Sequence, residues 1–141
     1  MLDVVLLGRM ETLRLKISEE DIGQAWKVLE LLHLEELAER PFYALSGGQR
    51  RMVGIAQTTV KEPQILIMDE PTANLDVQKE LEVLELIRAY TKQRNIATFL
   101  TLHDLNMAAR YADRLILLHD GGIYCSGEPK EVLTEQHIRE T

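Results

Sequence analysis

Residues 64–71 read QILIMDEP. Four apolar residues in a row, Ile65 to Met68, lack the alternation of a half-exposed strand. Such a run suits a strand buried on both faces of a parallel sheet. It closes on two acids and a proline, Asp69, Glu70 and Pro71. The next stretch, VQKELEVLELIRAYTKQRN (77–95), carries Leu81, Leu84 and Ile87 as a helical stripe. IATFLTLH (96–103) is a second β-like run. Strand, helix and strand in that order specify an α/β layer structure.

The pattern continues to the C-terminus. DLNMAARYAD (104–113) reads as a short helix. RLILL (114–118) and IYCSG (123–127) read as third and fourth strands, joined across the turn signal His119-Asp120-Gly121-Gly122. EPKEVLTEQHIRE (128–140) closes the chain with a helix that can start at Pro129. Upstream of Gln64 the character is helical. In SEEDIGQAWKVLELLHLEELAER (18–40), Ser18 is an N-cap with Asp21 three residues on. Ile22, Ala25, Trp26, Leu29 and Leu32 recur at helical spacing. Pro41 breaks that pattern, YALSGGQ (43–49) follows as a loop, and Gln49 to Val60 reads as a helix ending near Pro63. The organisation expected is a helical part over 1–60 and an α/β part over 61–141.

Bulk properties narrow the function. The chain has 141 residues, 45% hydrophobic and 28% charged, which fits one soluble globular domain. A net charge of -7 disfavours nucleic acid as the main partner. The single cysteine, Cys125, excludes an internal disulfide and points to a reducing compartment. No stretch approaches 18 apolar residues, so no membrane span is expected. MLDVVLLGRMETLR (1–14) is apolar but lacks the basic start and the cleavage site of a signal peptide.

Ligands of open parallel sheets sit beyond the carboxyl ends of the strands. Asp69 and Glu70 close the first strand, and His103 closes the second. Neighbouring side chains of an extended segment point to opposite sides. Asp69 can therefore face a magnesium ion, which takes few carboxylates, while Glu70 faces an attacking water. The plainer alternative is a pair of acids that starts a turn. His33, His119 and His137 lack such a context and read as surface or packing residues. Leu45-Ser46-Gly47-Gly48-Gln49 opens a helix, where unpaired N–H groups and the positive end of the dipole make an anion site. The glycines permit close approach, Ser46 adds a hydroxyl and Gln49 an amide. The plainer alternative is a capped turn. A G-x-x-x-x-G-K-[ST] loop is absent, because no lysine of the chain follows a glycine.

LSGGQ, then ILIMDEPTANLD, then LTLHDL resembles the ATP-binding cassette (ABC) ATPases in order and spacing. The chain looks like the C-terminal half of a cassette, a partial P-loop NTPase core with a mainly parallel sheet, preceded by a helical signature subdomain. The resemblance implies that Leu45, Ser46, Gly47, Gly48 and Gln49 form the signature loop, which covers ATP held by a partner chain. It implies that Asp69 holds Mg2+ through water, that Glu70 is the catalytic glutamate and that His103 contacts the γ-phosphate. Asn74, Leu75 and Asp76 match the loop along the dimer interface. DVVLLGR (3–9) and the stretch 100–129 look like importer cassettes for iron–siderophore complexes, haem or cobalamin. The implied partners are transmembrane permease subunits and a second cassette chain, at the cytoplasmic face of the cell membrane. Many cassettes carry Ala-Arg where this chain has Ala56-Gln57. Without its own P-loop the chain is expected to be inactive alone, with exposed sheet edges that favour dimerisation, swapping or marginal stability. The alternative is a non-catalytic docking or dimerisation module.

Overall fold

In a computed structural model, which describes residues 1–10 and 17–141, the run Ile65–Met68 is strand β1. The end of the N-terminal apolar stretch, residues 11–14, lies outside the described residues. β1 pairs in parallel with β2 (Ala97–Leu100), with Ile65 opposite Ala97 and Met68 opposite Leu100. Helix α4 (Val77–Arg94) makes the crossover between them. Asp76 starts it by accepting the Lys79 N–H at 3.0 Å. Asn95 ends it in the left-handed region (φ 51°), and Lys92 and Arg94 complement the dipole of the last turn.

The expected stripe of α4 is rotated by a fraction of a turn. Leu84 and Ile87 are buried together with Val83 and Tyr90, and Leu81 is only half-buried. Val83, Ile87 and Tyr90 share one apolar cluster with Leu66 and Met68 of β1. The other face of the pair departs from the sequence reading. Ile65 (59% exposed), Ile67 (74%) and Phe99 (51%) are open. Continuous apolarity signalled burial on both faces, but among the described residues this unit covers only the α4 side.

The helical layer of the same unit holds α1 (Leu2–Leu7), α2 (Glu19–Leu31) and α3 (Gly47–Thr59). Ser18 and Asp21 form the expected capping box: the Ser18 Oγ accepts from Asp21 N–H, and Asp21 accepts from Ser18 N–H. Ala25, Leu29 and Leu32 are buried as expected, joined by Val28, whereas Ile22 and Trp26 stay at the margin of the apolar face. Helix α3 begins two residues earlier than read, because Ser46 caps it and draws both glycines into its first turn.

Gly8 lets α1 meet α3. A Cβ built there falls 2.1 Å from the Gln57 carbonyl oxygen and 2.7 Å from the Val60 Cγ1. Gly8→Ala therefore forces the two helices apart and is expected to cost about 1–3 kcal/mol as overpacking. Denaturant unfolding of the variant against the parent chain measures this.

Arg9 follows, and its Nε donates to Asp21 Oδ1 at 2.8 Å. The Ser18 hydroxyl and N–H and the Arg9 guanidinium together hold the Asp21 carboxyl far below the usual carboxylate range. A depressed folded pKa gives stability that is fully present above the ordinary carboxylate pKa and is lost as pH falls toward the folded one. Thermal unfolding between about pH 7 and pH 3 is expected to show a shallower acid loss in Asp21→Asn than in the parent, because the variant removes that titration.

Met1–Leu100 forms one compact unit and Thr101–Thr141 another. In the second, Asp104 caps the short helix α5 (Leu105–Tyr111) through the N–H groups of Asn106 and Met107. β3 (Leu115–His119) and β4 (Gly122–Gly127) form an antiparallel hairpin. Asp120 (φ 47°) and Gly121 (φ 75°) at its tip suit a two-residue turn with positive φ at both positions. The single closing helix of the sequence reading is two, α6 (Pro129–Val132) and α7 (Glu135–Glu140). Thr134 interrupts it by capping α7 through the His137 N–H.

Candidate nucleotide site

The two readings of Leu45–Gln49 turn out to be compatible. Ser46 Oγ accepts from Gln49 N–H at 3.2 Å, and Gln49 Oε1 accepts from Ser46 N–H at 3.0 Å. A helix start presents four N–H groups without intrahelical partners. This box takes those of Ser46 and Gln49, so the pair it leaves over belongs to Gly47 and Gly48. The side chains of Ser46 and Gln49 serve first as caps, and the backbone of the glycines is what can meet an anion.

Neither glycine is required by the chain's own packing. A Cβ at Gly47 meets nothing within 4 Å, and one at Gly48 meets only the Leu75 Cδ2 at 3.4 Å and the Lys79 Cδ at 3.7 Å. Neither has a positive φ. Glycine inside a helix disfavours it by roughly 0.5–1 kcal/mol relative to alanine. At the first two positions of α3 the two glycines leave the backbone open to close approach from outside.

Arg50 fastens this loop, a role the sequence reading did not assign. Its Nε donates to Leu45 C=O at 3.0 Å, its Nη2 donates to Tyr43 C=O at 2.8 Å, and its guanidinium lies over the Phe42 ring. The guanidinium thus satisfies carbonyls of the 3-10 turn Phe42–Ala44 and the residue after it. An arginine after a glycine pair carries no local mark that it will fold backwards, so only the structure reveals this.

Asp69 and Glu70 follow β1 directly, but not as an extended pair. The chain bends at both, and Glu70 is left-handed (φ 44°). The alternation argument for their opposite orientation therefore does not apply. A non-glycine residue in this region is uncommon, and such residues cluster at functional sites. The turn continues with Ala73 N–H donating to Glu70 C=O (3.1 Å), Leu75 N–H donating to Thr72 C=O (3.2 Å), and a second left-handed residue, Asn74 (φ 63°). Asp76 caps α4 and pairs with the Lys79 ammonium at 3.3 Å. The Lys79 N–H and ammonium lower the Asp76 pKa, which keeps the cap charged.

An open cleft of about 650 Å³ lies between the start of α3 and this turn. Gly47, Gly48 and Arg51 line one side, and Asp69, Asn74 and Leu75 line the other. The structure thus brings Gly47 and Gly48, the end of β1, and Asn74 and Leu75 to one place. His103 belongs to the second unit, three residues beyond the end of β2 rather than at it. As for metal, no group of three or more His, Cys, Asp or Glu side chains is gathered among the described residues. The donor chemistry fits magnesium, which is held by one or two carboxylates, waters and substrate phosphates. Asp69 is the carboxylate at the strand end that would hold it.

A parallel strand pair with a crossover helix, acids in the bend after the first strand and a capped glycine helix start define an α/β fold with an anion-binding helix start. Comparison with known proteins narrows this. The ABC transporter family model matches residues 4–73. An uncharacterized ABC transporter ATP-binding protein of Methanocaldococcus jannaschii is 47% identical over 97% of this chain and 54% of its own length. The achromobactin transport ATP-binding protein of Dickeya dadantii is 39% identical over 86% of this chain and 45% of its own. The solved inward-facing conformation of an ABC transporter described as of metal-chelate type superposes with a TM-score of 0.90 at 32% identity, over 99% of this chain and 56% of that one. The chain belongs to the ABC transporter ATP-binding family. It spans about half the length of the curated relatives it matches.

Proposed function

We propose that this chain supplies the signature loop and the hydrolytic residues of an ATP-binding cassette that drives import across a membrane, with an iron complex or related metal chelate as cargo. The observation that carries the reading is the start of α3. Its capping box leaves the N–H groups of Gly47 and Gly48 for an anion, and both glycines are dispensable to the chain's own packing. In this reading Leu45–Gln49 closes over the γ-phosphate of ATP held on a partner cassette. Asp69 holds Mg2+ through water, and the ion offsets the charge that develops on the phosphate oxygens. Glu70 orients the attacking water or takes its proton. His103 positions the γ-phosphate, and Asn74, Leu75 and Asp76 run along the interface with the partner. Residues 1–60 act as the helical signature subdomain and 61–141 as the α/β part. The α- and β-phosphates need a cradle from residues beyond these 141, since no P-loop motif occurs in them.

The achromobactin-transport relative and the metal-chelate type of the structural neighbour support the cargo class. No helix of the described residues is long and apolar enough to cross a membrane. This suits a peripheral ATPase that docks on permease subunits at the cytoplasmic face. A second reading, a non-catalytic docking or dimerisation module, is favoured by the bare face of Ile65, Ile67 and Phe99.

Sedimentation of the chain with a cassette chain that carries a P-loop separates the two. The ATPase reading expects association that requires ATP and Mg2+. Association of equal strength without nucleotide would overturn it in favour of the docking module.

A further inference from the structure

Thr72 is 8% exposed, and its hydroxyl donates to Glu80 Oε1 at 2.9 Å. The two residues stand on either side of the interface loop: Thr72 in the turn after β1, Glu80 in the first turn of α4. Between β1 and α4 the backbone holds two left-handed non-glycine residues, Glu70 and Asn74. Each is intrinsically unfavourable and persists only where its surroundings over-determine it. Two short backbone hydrogen bonds shape the turn from within, Ala73 to Glu70 and Leu75 to Thr72. The Thr72–Glu80 bond ties it, across eight residues, to the start of α4. The Asp76 cap fixes only the far end of the loop.

We propose that Glu80 is a positioning residue for hydrolysis. Through Thr72 it fixes the turn that carries Glu70 and the 74–76 loop, so that the Glu70 carboxylate is delivered in one geometry. The proposal rests on the ATPase reading above. Glu80 touches no reacting atom in it and acts only through the Thr72 hydroxyl. Loss of the acceptor leaves a buried hydroxyl without its partner, and the turn relaxes to recover hydrogen bonding. Small misplacement of a catalytic group costs up to about 100-fold in rate.

The test compares Glu80→Ala and Glu80→Gln in the complete cassette. Glutamine retains an oxygen acceptor for Thr72 and removes only the charge. Glu80→Ala is expected to lower kcat for ATP hydrolysis about 10- to 100-fold with KM for MgATP unchanged, and Glu80→Gln to restore kcat. Amide exchange of the peptide spanning residues 69–76 is expected to speed up in Glu80→Ala and not in Glu80→Gln. Parental kcat in Glu80→Ala overturns the proposal, as does an equal loss in both variants, which would mark a charge effect. Glu70→Gln serves as the control for the parent reading. If it leaves turnover intact, the ATPase role of Glu70 fails, while the exchange rates still report whether Glu80 holds the turn.

Discussion

Glu70→Gln is expected to stop ATP turnover in the complete cassette, by about 10²–10⁴-fold, while nucleotide still binds. The substitution is nearly isosteric and keeps the backbone demands of the site. Glu70 occupies the left-handed region at φ 44°, and glutamine faces the same steric cost there as glutamate. The Ala73 N–H bonds the backbone carbonyl of residue 70, which the change does not touch. What disappears is the carboxylate proposed to orient the attacking water or take its proton. ATP hydrolysis under saturating MgATP, with labelled-nucleotide binding as the companion measurement, checks this. Turnover at the parental rate would remove Glu70 from the mechanism.

The second large effect is expected from Gly47→Asp. A Cβ at position 47 meets nothing within 4 Å, so the side chain has room. A carboxylate in the first turn of a helix is favourable by about 0.3–1 kcal/mol through the helix dipole. The isolated chain should therefore unfold at the same or slightly higher denaturant concentration. The same carboxylate sits where the proposed γ-phosphate approaches. Two like charges about 4 Å apart repel by ~4 kcal/mol at an effective dielectric of 20, and that corresponds to roughly a 1000-fold loss. Nucleotide-dependent pairing and turnover should both fall by that order. A variant that folds well and still pairs with ATP would show that the helix start meets no phosphate.

The elements were legible in the sequence where one local rule governed them. The run Ile65–Met68, the helix from Val77 and the capping pair Ser18/Asp21 follow from apolar spacing and cap chemistry, and the structure has all three. Reading failed where a distant partner decided. Helix α1 shows in the sequence only as an apolar patch, since six residues are too few for a helical period to declare itself. Gly8 gave no sign of its packing on Gln57, and Arg50 gave none of its hold on Tyr43 and Leu45. The extended reading of Asp69 and Glu70 was wrong because a strand pattern does not reveal the residue at which the chain turns left-handed.

By itself the sequence determined the family, because residue type and spacing along the chain carry that information. It also determined the α/β class, through the change of period from helix to strand. Tertiary structure alone decided which face of β1 is covered. A strand has two apolar faces in the sequence, but a single crossover helix covers one of them, and Ile65 and Ile67 stay open. It alone decided that Ser46 and Gln49 cap each other and leave the glycine N–H groups over, since that depends on the position of atoms three residues apart in a formed helix. It alone brought Thr72 to Glu80, because a hydrogen bond across eight residues exists only once the turn between them has closed.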